Sequence, residues 1–275
     1  MPELPEVETV RRTLQHLVLH KQIKDITVLW PKIVKKPEEA TQFIDALKGE
    51  TILDIGRRGK FLIIYTDHFA LVSHLRMEGK YGLYTEDEPV DKHVHVIFYF
   101  SDGTELRYKD VRKFGTMHLF KKGEEFSIPP LSQLGPEPFS EDFTLEFLNS
   151  RLKKTNRKLK TALLDQTNLV GLGNIYVDEA LFRAGIHPER SANELTEEET
   201  ARLHREIIST LNEAVEKGGS TIRSYVNSQG QMGMFQLDLL VYSRKGEECK
   251  TCGKPIEKTV VGGRGTHFCP NCQKL

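Results

Sequence analysis

All four cysteines of this 275-residue chain fall in its last 27 residues, as CKTC, sixteen intervening residues and CPNC. Nothing else in the sequence restricts the fold as strongly. Two C-x2-C knuckles at this separation supply four thiolates, Cys249, Cys252, Cys269 and Cys272, for one tetrahedral zinc ion. Four protein ligands leave no position for substrate, so the expected site is structural. Disulfides or a redox pair are the competing readings. The acidic N-terminus lacks a signal peptide's layout, and clustered cysteines in a reducing cytosol favour metal. Between the knuckles, TVV and THF can pair as a hairpin with Gly262, Gly263, Arg264 and Gly265 at its tip. From Tyr242 onward there are seven Lys or Arg against three Glu. Arg264, raised among glycines, suits a phosphate or groove contact better than a solvated tail.

The rest of the chain changes character once. MPELPEVETV opens an amphipathic helix over about 5–19, with Val7, Val10, Leu14, Leu17 and Val18 three or four apart. Short β-rich runs follow: IKDITVLW, TILDIG, KFLIIYT, ALVSHLR, HVHVIFYF, TELRYKD and TMHLF. One helix followed by many strands predicts an antiparallel sandwich. IPPLSQLGPEP breaks the periodicity as a linker, and helical spacing then covers about 141–150, 158–166, 174–184 and 196–217. TEEET is a capping signature. The polar, glycine-rich stretch from Gly218 to Gly233 is unusually long for a connection, a trait of functional loops. The expected fold is α+β in three parts: 1–134 β-sandwich with a leading helix, 135–237 helical, 238–275 a zinc-finger hairpin.

Charge is balanced, 39 basic residues against 39 acidic, so net charge says nothing about nucleic acid. Its distribution does. RLKKTNRKLK has six basic residues and no acid; IGRRGK sets Arg57, Arg58 and Lys60 around glycines; RYKDVRKFG adds Arg107, Lys109, Arg112 and Lys113 beside Phe114. Each alone reads as an exposed face, but together they suit a phosphate-binding side on a neutral body. GLGNIYVDEAL places a glycine turn before a helix starting at Asn174, which can offer backbone N–H groups to a phosphate. No apolar run is long enough to span a membrane.

Helix-start chemistry accounts for Pro5, Glu6 and Glu8. It leaves Pro2 and Glu3 unexplained. PELPEVE, RRGKFL, SHLRMEG, DVRKFGT, LGPEP, GLGNIYVDE and CKTC through GGRGTHFCPNC, in this order and over nearly the whole chain, together resemble the bacterial formamidopyrimidine-DNA glycosylases. The resemblance implies a helix–two-turn–helix domain in the second part. It also implies excision of oxidised purines such as 8-oxoguanine and formamidopyrimidines, followed by strand cleavage through β,δ-elimination.

The same resemblance makes Pro2, exposed by loss of Met1, the nucleophile. A terminal amine has a pKa near 8 against about 10.4 for lysine, so roughly a fifth of it is unprotonated at pH 7.4. Being secondary, it forms an iminium at the sugar C1′ that keeps its charge and acidifies the C2′ hydrogen. Glu3 is then the adjacent acid–base, with Glu6 either supporting it or serving the helix start alone, and Lys60 and Arg264 serve the two eliminations, largely by holding phosphates. Met77, Arg112 and Phe114 match residues that fill the space left by the extruded base, Arg112 facing the orphaned cytosine. His74, His93, Lys160, Asn174 and Tyr242 match backbone contacts, and Ser220, Thr221 and Tyr225 a loop closing over the flipped base. Asn156 departs from a related pattern that has lysine.

One structural Zn2+ and no redox or nucleotide cofactor are implied. The expected partner is double-stranded DNA with an oxidised purine, bound by a monomer in the cytoplasm at the nucleoid, with no membrane. The rival readings are an endonuclease VIII-type enzyme for oxidised pyrimidines and a non-catalytic zinc-finger DNA-binding protein.

Overall fold

The structure, a computed structural model, describes residues 1–220 and 233–275. The chain divides into two compact units, Met1–Gln133 with Ser220–Gly233, and Leu134–Gly219 with Met234–Leu275.

In the first unit the leading helix α1 (Leu4–Val18) carries Pro5 in its first turn, where a missing N–H costs no hydrogen bond. Then follow β1 (Ile23–Val28), β2 (Val34–Lys36), α2 (Ala40–Leu47), β3 (Asp54–Arg58), β4 (Phe61–Tyr65), β5 (Phe69–His74), β6 (Lys80–Thr85), β7 (Val94–Phe100), β8 (Thr104–Lys109) and β9 (Thr116–Lys121). They form a four-stranded sheet in the order β1-β7-β8-β6 and a five-stranded sheet in the order β2-β9-β5-β4-β3. One core joins them: Ile26, Val96, Phe98 and Leu106 from the first sheet meet Ile55, Leu62, Ile64, Leu71 and Leu119 from the second, with Val7, Val10 and Leu14 of α1.

Three details differ from the sequence reading. β2 pairs parallel with β9, so the second sheet is not purely antiparallel. The helix α2 is absent from the sequence reading, although Phe43, Ile44 and Leu47 stand at helical spacing; it is only eight residues long and buries just Phe43 and Leu47 fully. KYGLYT was not marked as a strand; Gly82 sits in its middle and interrupts the pattern.

Two glycine turns decide where side chains point. β3 and β4 are joined by Gly59 and Lys60 alone, and Gly59 has φ +56° at the first central position, as a type II′ hairpin requires. This sets Lys60 at the tip of the hairpin, against which α1 packs.

The second unit holds α3 (Leu145–Lys153), α4 (Leu159–Leu164), α5 (Asn174–Ala184), α6 (Glu197–Glu216) and the hairpin β10 (Glu257–Val261)–β11 (Arg264–Phe268). Thr196 caps α6 and Glu199 closes the capping box. Gly262 and Gly263 form the hairpin loop, both with positive φ, the type I′ pattern. Arg264 is therefore the first residue of β11, opposite Val261, rather than part of the loop. Phe182, Val241, Ile256, Cys249 and Cys269 form a small core that fastens the cysteine module to α5. Among the described residues no helix is long and apolar enough to cross a membrane.

Candidate active site and nucleic-acid interface

In the first unit, Pro2 and Glu3 are buried at the entrance to α1. Glu6 fixes this entrance: its Oε2 accepts the Glu3 N–H at 2.8 Å and its Oε1 accepts the Ser220 N–H at 2.7 Å. Glu8, one turn further, accepts from Arg11, Arg12 and Arg57 at 2.8–3.0 Å. Burial pulls its carboxyl up, but the three guanidinium partners outweigh this and hold it down at about 2. Arg57 also donates to the Gly59 carbonyl at 3.0 Å. Glu8 thus braces, through Arg57, the turn that presents Lys60, which is itself buried.

His74 ends β5 opposite Phe61, the residue after Lys60, and their rings meet edge to face. Burial, then the charges of Arg76 and Lys60, pushes its imidazole down to about 3, so it is neutral at physiological pH. Its Nδ1 accepts the Arg76 N–H at 2.9 Å, which assigns the ring proton to Nε2 as a hydrogen-bond donor.

The turn after β8 carries Arg112 and Phe114. Asp110, fully buried, accepts from Arg112 N–H (3.0 Å), Phe114 N–H (2.9 Å) and Gly115 N–H (2.8 Å), while its own N–H donates to the His93 carbonyl. Phe114 is 52 % exposed and Met77, on the turn after β5, 39 %. The Arg112 guanidinium lies over the Phe114 ring, 4.8 Å from its centroid. Large apolar side chains held in solvent by well-bonded turns are poor core material and suit insertion between bases.

Arg107 corrects the sequence reading. It is not on a basic face; it is buried, pairs with Glu105 at 2.7 Å and donates to the carbonyls of Thr85, Glu88 and Pro89. It pins the β6–β7 connection on which His93 stands.

In the second unit Arg264 is exposed. Lys160 is not. It is completely buried, with its Nζ on Asp178 Oδ1 (2.7 Å), Thr266 Oγ1 (2.8 Å) and the Gly265 carbonyl (3.2 Å), so it ties α4 and α5 to the hairpin instead of facing a phosphate. Asn174, at the start of α5, donates to the same Gly265 carbonyl at 3.0 Å. The other oxygen of Asp178 accepts the His267 N–H at 2.8 Å. Glu179, also buried, accepts the N–H groups of Leu240, Val241 and Tyr242 at 2.8–2.9 Å and sets Tyr242 edge-on against His267. Most of RLKKTNRKLK is likewise engaged: Arg151 with Asn168, Lys153 with two carbonyls, Arg157 with Asp165 and Lys158 with Glu189.

The four cysteine Sγ atoms lie within 4.8 Å of one another, Cys252 and Cys269 at 3.5 Å and Cys249 and Cys272 at 3.9 Å. These are far longer than a disulfide. They match the separation of about 3.8 Å that Zn–S bonds of about 2.3 Å give in a tetrahedron. The residues present fit zinc, and four thiolates would close its coordination.

Thr221 and Tyr225 lie outside the described residues; Ser220 is buried on Glu6. Sequence reasoning missed Asp110, Asp178 and Glu179, and read Glu8 only as helix-start chemistry. The available signal was an acid inside a basic or glycine-marked motif, as in KDVRKFG and GNIYVDE.

Residues 1–117 match the family model of the formamidopyrimidine-DNA glycosylase N-terminal domain, 134–226 that of the corresponding helix–two-turn–helix domain, and 246–275 the zinc finger found in FPG and IleRS. The chain is 70 % identical over 274 residues to the formamidopyrimidine-DNA glycosylase of Bacillus licheniformis, covering 100 % of both. It is 65 % identical over 273 residues to that of Bacillus subtilis, covering 99 % of both. Among solved structures, Lactococcus lactis Fpg (MutM) in complex with N7-benzyl-Fapy-dG DNA aligns with a TM-score of 0.94 at 46 % identity, covering 100 % of both chains. The same protein with abasic-site DNA also gives 0.94 at 46 % identity, over 99 % of this chain and 100 % of that one. The chain belongs to the formamidopyrimidine-DNA glycosylase family.

Proposed function

We propose that this chain excises oxidised purines from double-stranded DNA and cleaves the strand, using the amine of Pro2 once Met1 is removed. The observation that carries the reading is the burial of Pro2 and Glu3 at a helix entrance fixed by Glu6, on a helix packed against the hairpin that presents Lys60. A terminal amine in that setting is kept in one place without burying a charged lysine for the purpose.

The Pro2 nitrogen attacks C1′ and gives up its proton, and the bond from C1′ to the base nitrogen breaks as the leaving base takes a proton. The bond from C1′ to the ring oxygen O4′ then breaks, O4′ taking a proton, to leave an iminium at C1′. The C1′ iminium then loses its C2′ hydrogen to a base, and the bond from C3′ to its phosphate oxygen breaks. A second elimination breaks the bond from C5′ to oxygen, and water releases the sugar remnant from Pro2. The products are the free base and a one-nucleotide gap flanked by phosphates. Glu3 is the proton-transfer group at the sugar, and Lys60 and Arg264 hold the departing phosphates. Neutral His74 offers Nε2–H to a phosphate without adding charge. Bound zinc supplies no chemistry to the reaction: it would be held by Cys249, Cys252, Cys269 and Cys272 and stabilise the hairpin that carries Arg264. One copy of the chain supplies every group named, so the reading takes it as a monomer.

Borohydride trapping tests this. Processed protein with a duplex holding 8-oxoguanine opposite cytosine is expected to give a covalent adduct, and Pro2→Gly to weaken it sharply. Trapping only with an oxidised pyrimidine would move the assignment to the endonuclease VIII group. No adduct with either, despite DNA binding and confirmed loss of Met1, would leave a binding protein.

A further inference from the structure

The turns bearing Met77 and Phe114 meet at one hydroxyl. Tyr108, fully buried near the end of β8, faces Tyr81 of β6 with ring centroids 5.0 Å apart. A Cβ built on Gly115 would stand 1.7 Å from the Tyr108 hydroxyl oxygen, and one built on Gly79 would stand 2.2 Å from the same atom. Gly79 is two residues after Met77, and Gly115 follows Phe114. The hydroxyl is therefore lodged against the backbone of both turns, and neither glycine has room for a side chain while it stays.

Asp110 acts on the same point. Its Oδ2 lies 3.3 Å from the Gly115 Cβ position and receives the Phe114 and Gly115 N–H groups, while Oδ1 receives that of Arg112. Arg76 and Lys113 adopt φ +53° and +59°, so each turn contains a non-glycine residue in a left-handed conformation that its surroundings must maintain.

We propose that Tyr108 and Asp110 are positioning residues that lock the Met77 turn and the Arg112–Phe114 turn into one preformed wedge. This rests on the reading that these three side chains occupy the space left by the extruded base. Pushing a nucleotide out of the stack costs its stacking and pairing. A turn that yields under that load moves aside, whereas turns braced on each other transmit it to the base. The ordering is completed during folding, before DNA arrives.

The test compares single-turnover excision of 8-oxoguanine from duplex DNA with cleavage at a preformed abasic site, where no stacked base is extruded. Asp110→Asn keeps size but turns one acceptor into a donor facing N–H groups; Tyr108→Phe removes only the hydroxyl. Excision is expected to fall about 10- to 100-fold in Asp110→Asn and by a smaller factor in Tyr108→Phe. Abasic-site cleavage is expected to change less than about threefold. 2-Aminopurine beside the lesion should unstack more slowly in both variants. Trp30, the only tryptophan in the chain, carries the Lys113 ammonium 4.1 Å from its ring centroid, so its emission should shift in Asp110→Asn without DNA. Should Asp110→Asn fail to fold, Gly115→Ala decides: it should slow excision, and adding Tyr108→Phe should restore part of it.

Equal loss at both substrates would reduce the brace to general stability and overturn the proposal. So would normal excision by Tyr108→Phe and Asp110→Asn when Met77→Ala and Phe114→Ala are slow. If Met77→Ala, Arg112→Ala and Phe114→Ala all excise normally, the wedge reading itself fails and the brace with it.

Discussion

Glu6 accepts the N–H of Ser220 at 2.7 Å across 214 residues of sequence, and with its other oxygen accepts the N–H of Glu3 at 2.8 Å. A single carboxylate therefore fixes both the residue that follows the proposed nucleophile and the start of the 220–233 segment. Glu6→Gln keeps the shape but leaves only one acceptor oxygen. Hydrogen bonds to charged groups are worth about 1.5–3 kcal/mol, so single-turnover excision is expected to fall roughly tenfold or more. A rate equal to wild type would show that neither bond matters to the reaction.

The Lys160–Asp178 pair has no exposure on either side chain. Removing one partner leaves an uncompensated buried charge, so Lys160→Met should cost about 3–5 kcal/mol. Replacing both, as Lys160→Met with Asp178→Leu, should recover much of that loss. Urea unfolding measures both; a single variant as stable as wild type would show that the pair contributes little.

Zinc removal should act on the second unit. Strong chelation, or Cys269→Ser, is expected to lower the melting temperature and to abolish strand cleavage that needs Arg264, because metal binding energy is folding energy in such a module. Circular dichroism and metal analysis would follow the loss together. Full thermal stability after complete metal removal would contradict the structural role.

Acid should destabilise the fold in two windows. His74 has its folded pKa pushed from 6.5 to about 3, so the unfolded chain binds a proton that the native one refuses. That contribution is fully present above about pH 6.5 and is lost as pH falls towards 3. Glu8 goes from 4.5 to about 2; its contribution is fully present above about pH 4.5 and is lost as pH falls towards 2. His74→Gln should flatten the stability profile between about pH 6.5 and 3, and Glu8→Gln only below about 4.5. Unchanged slopes would mean that neither group is perturbed as its surroundings indicate.

Much of this molecule was legible in its residues. The leading helix, most of the strands and the four helices of the second unit follow from apolar periodicity, and the cysteine spacing pointed to a four-thiolate cluster. The errors share one cause. The sequence reading counts Arg107 and Lys160 among surface charges because basic residues lie near them, yet each is buried on acceptors most of which come from elsewhere in the fold: the 85–89 segment, beside Glu105, for Arg107, and Asp178 and the hairpin for Lys160. A long charged side chain next to charged neighbours carries no mark of which way it turns.

By itself the sequence determined what depends on near neighbours: helix starts and caps, a glycine-tipped hairpin between the two cysteine knuckles and the four-thiolate set. Those rest on dihedral preference and on spacing within a few residues, which a linear chain states directly. Only the tertiary structure decided which charges are spent internally, that Glu6 reaches Ser220, that Asp110 gathers three N–H groups, and that the Tyr108 hydroxyl sits between Gly79 and Gly115. Each depends on burial, which makes an unpaired polar group costly and so selects partners by position in space rather than along the chain.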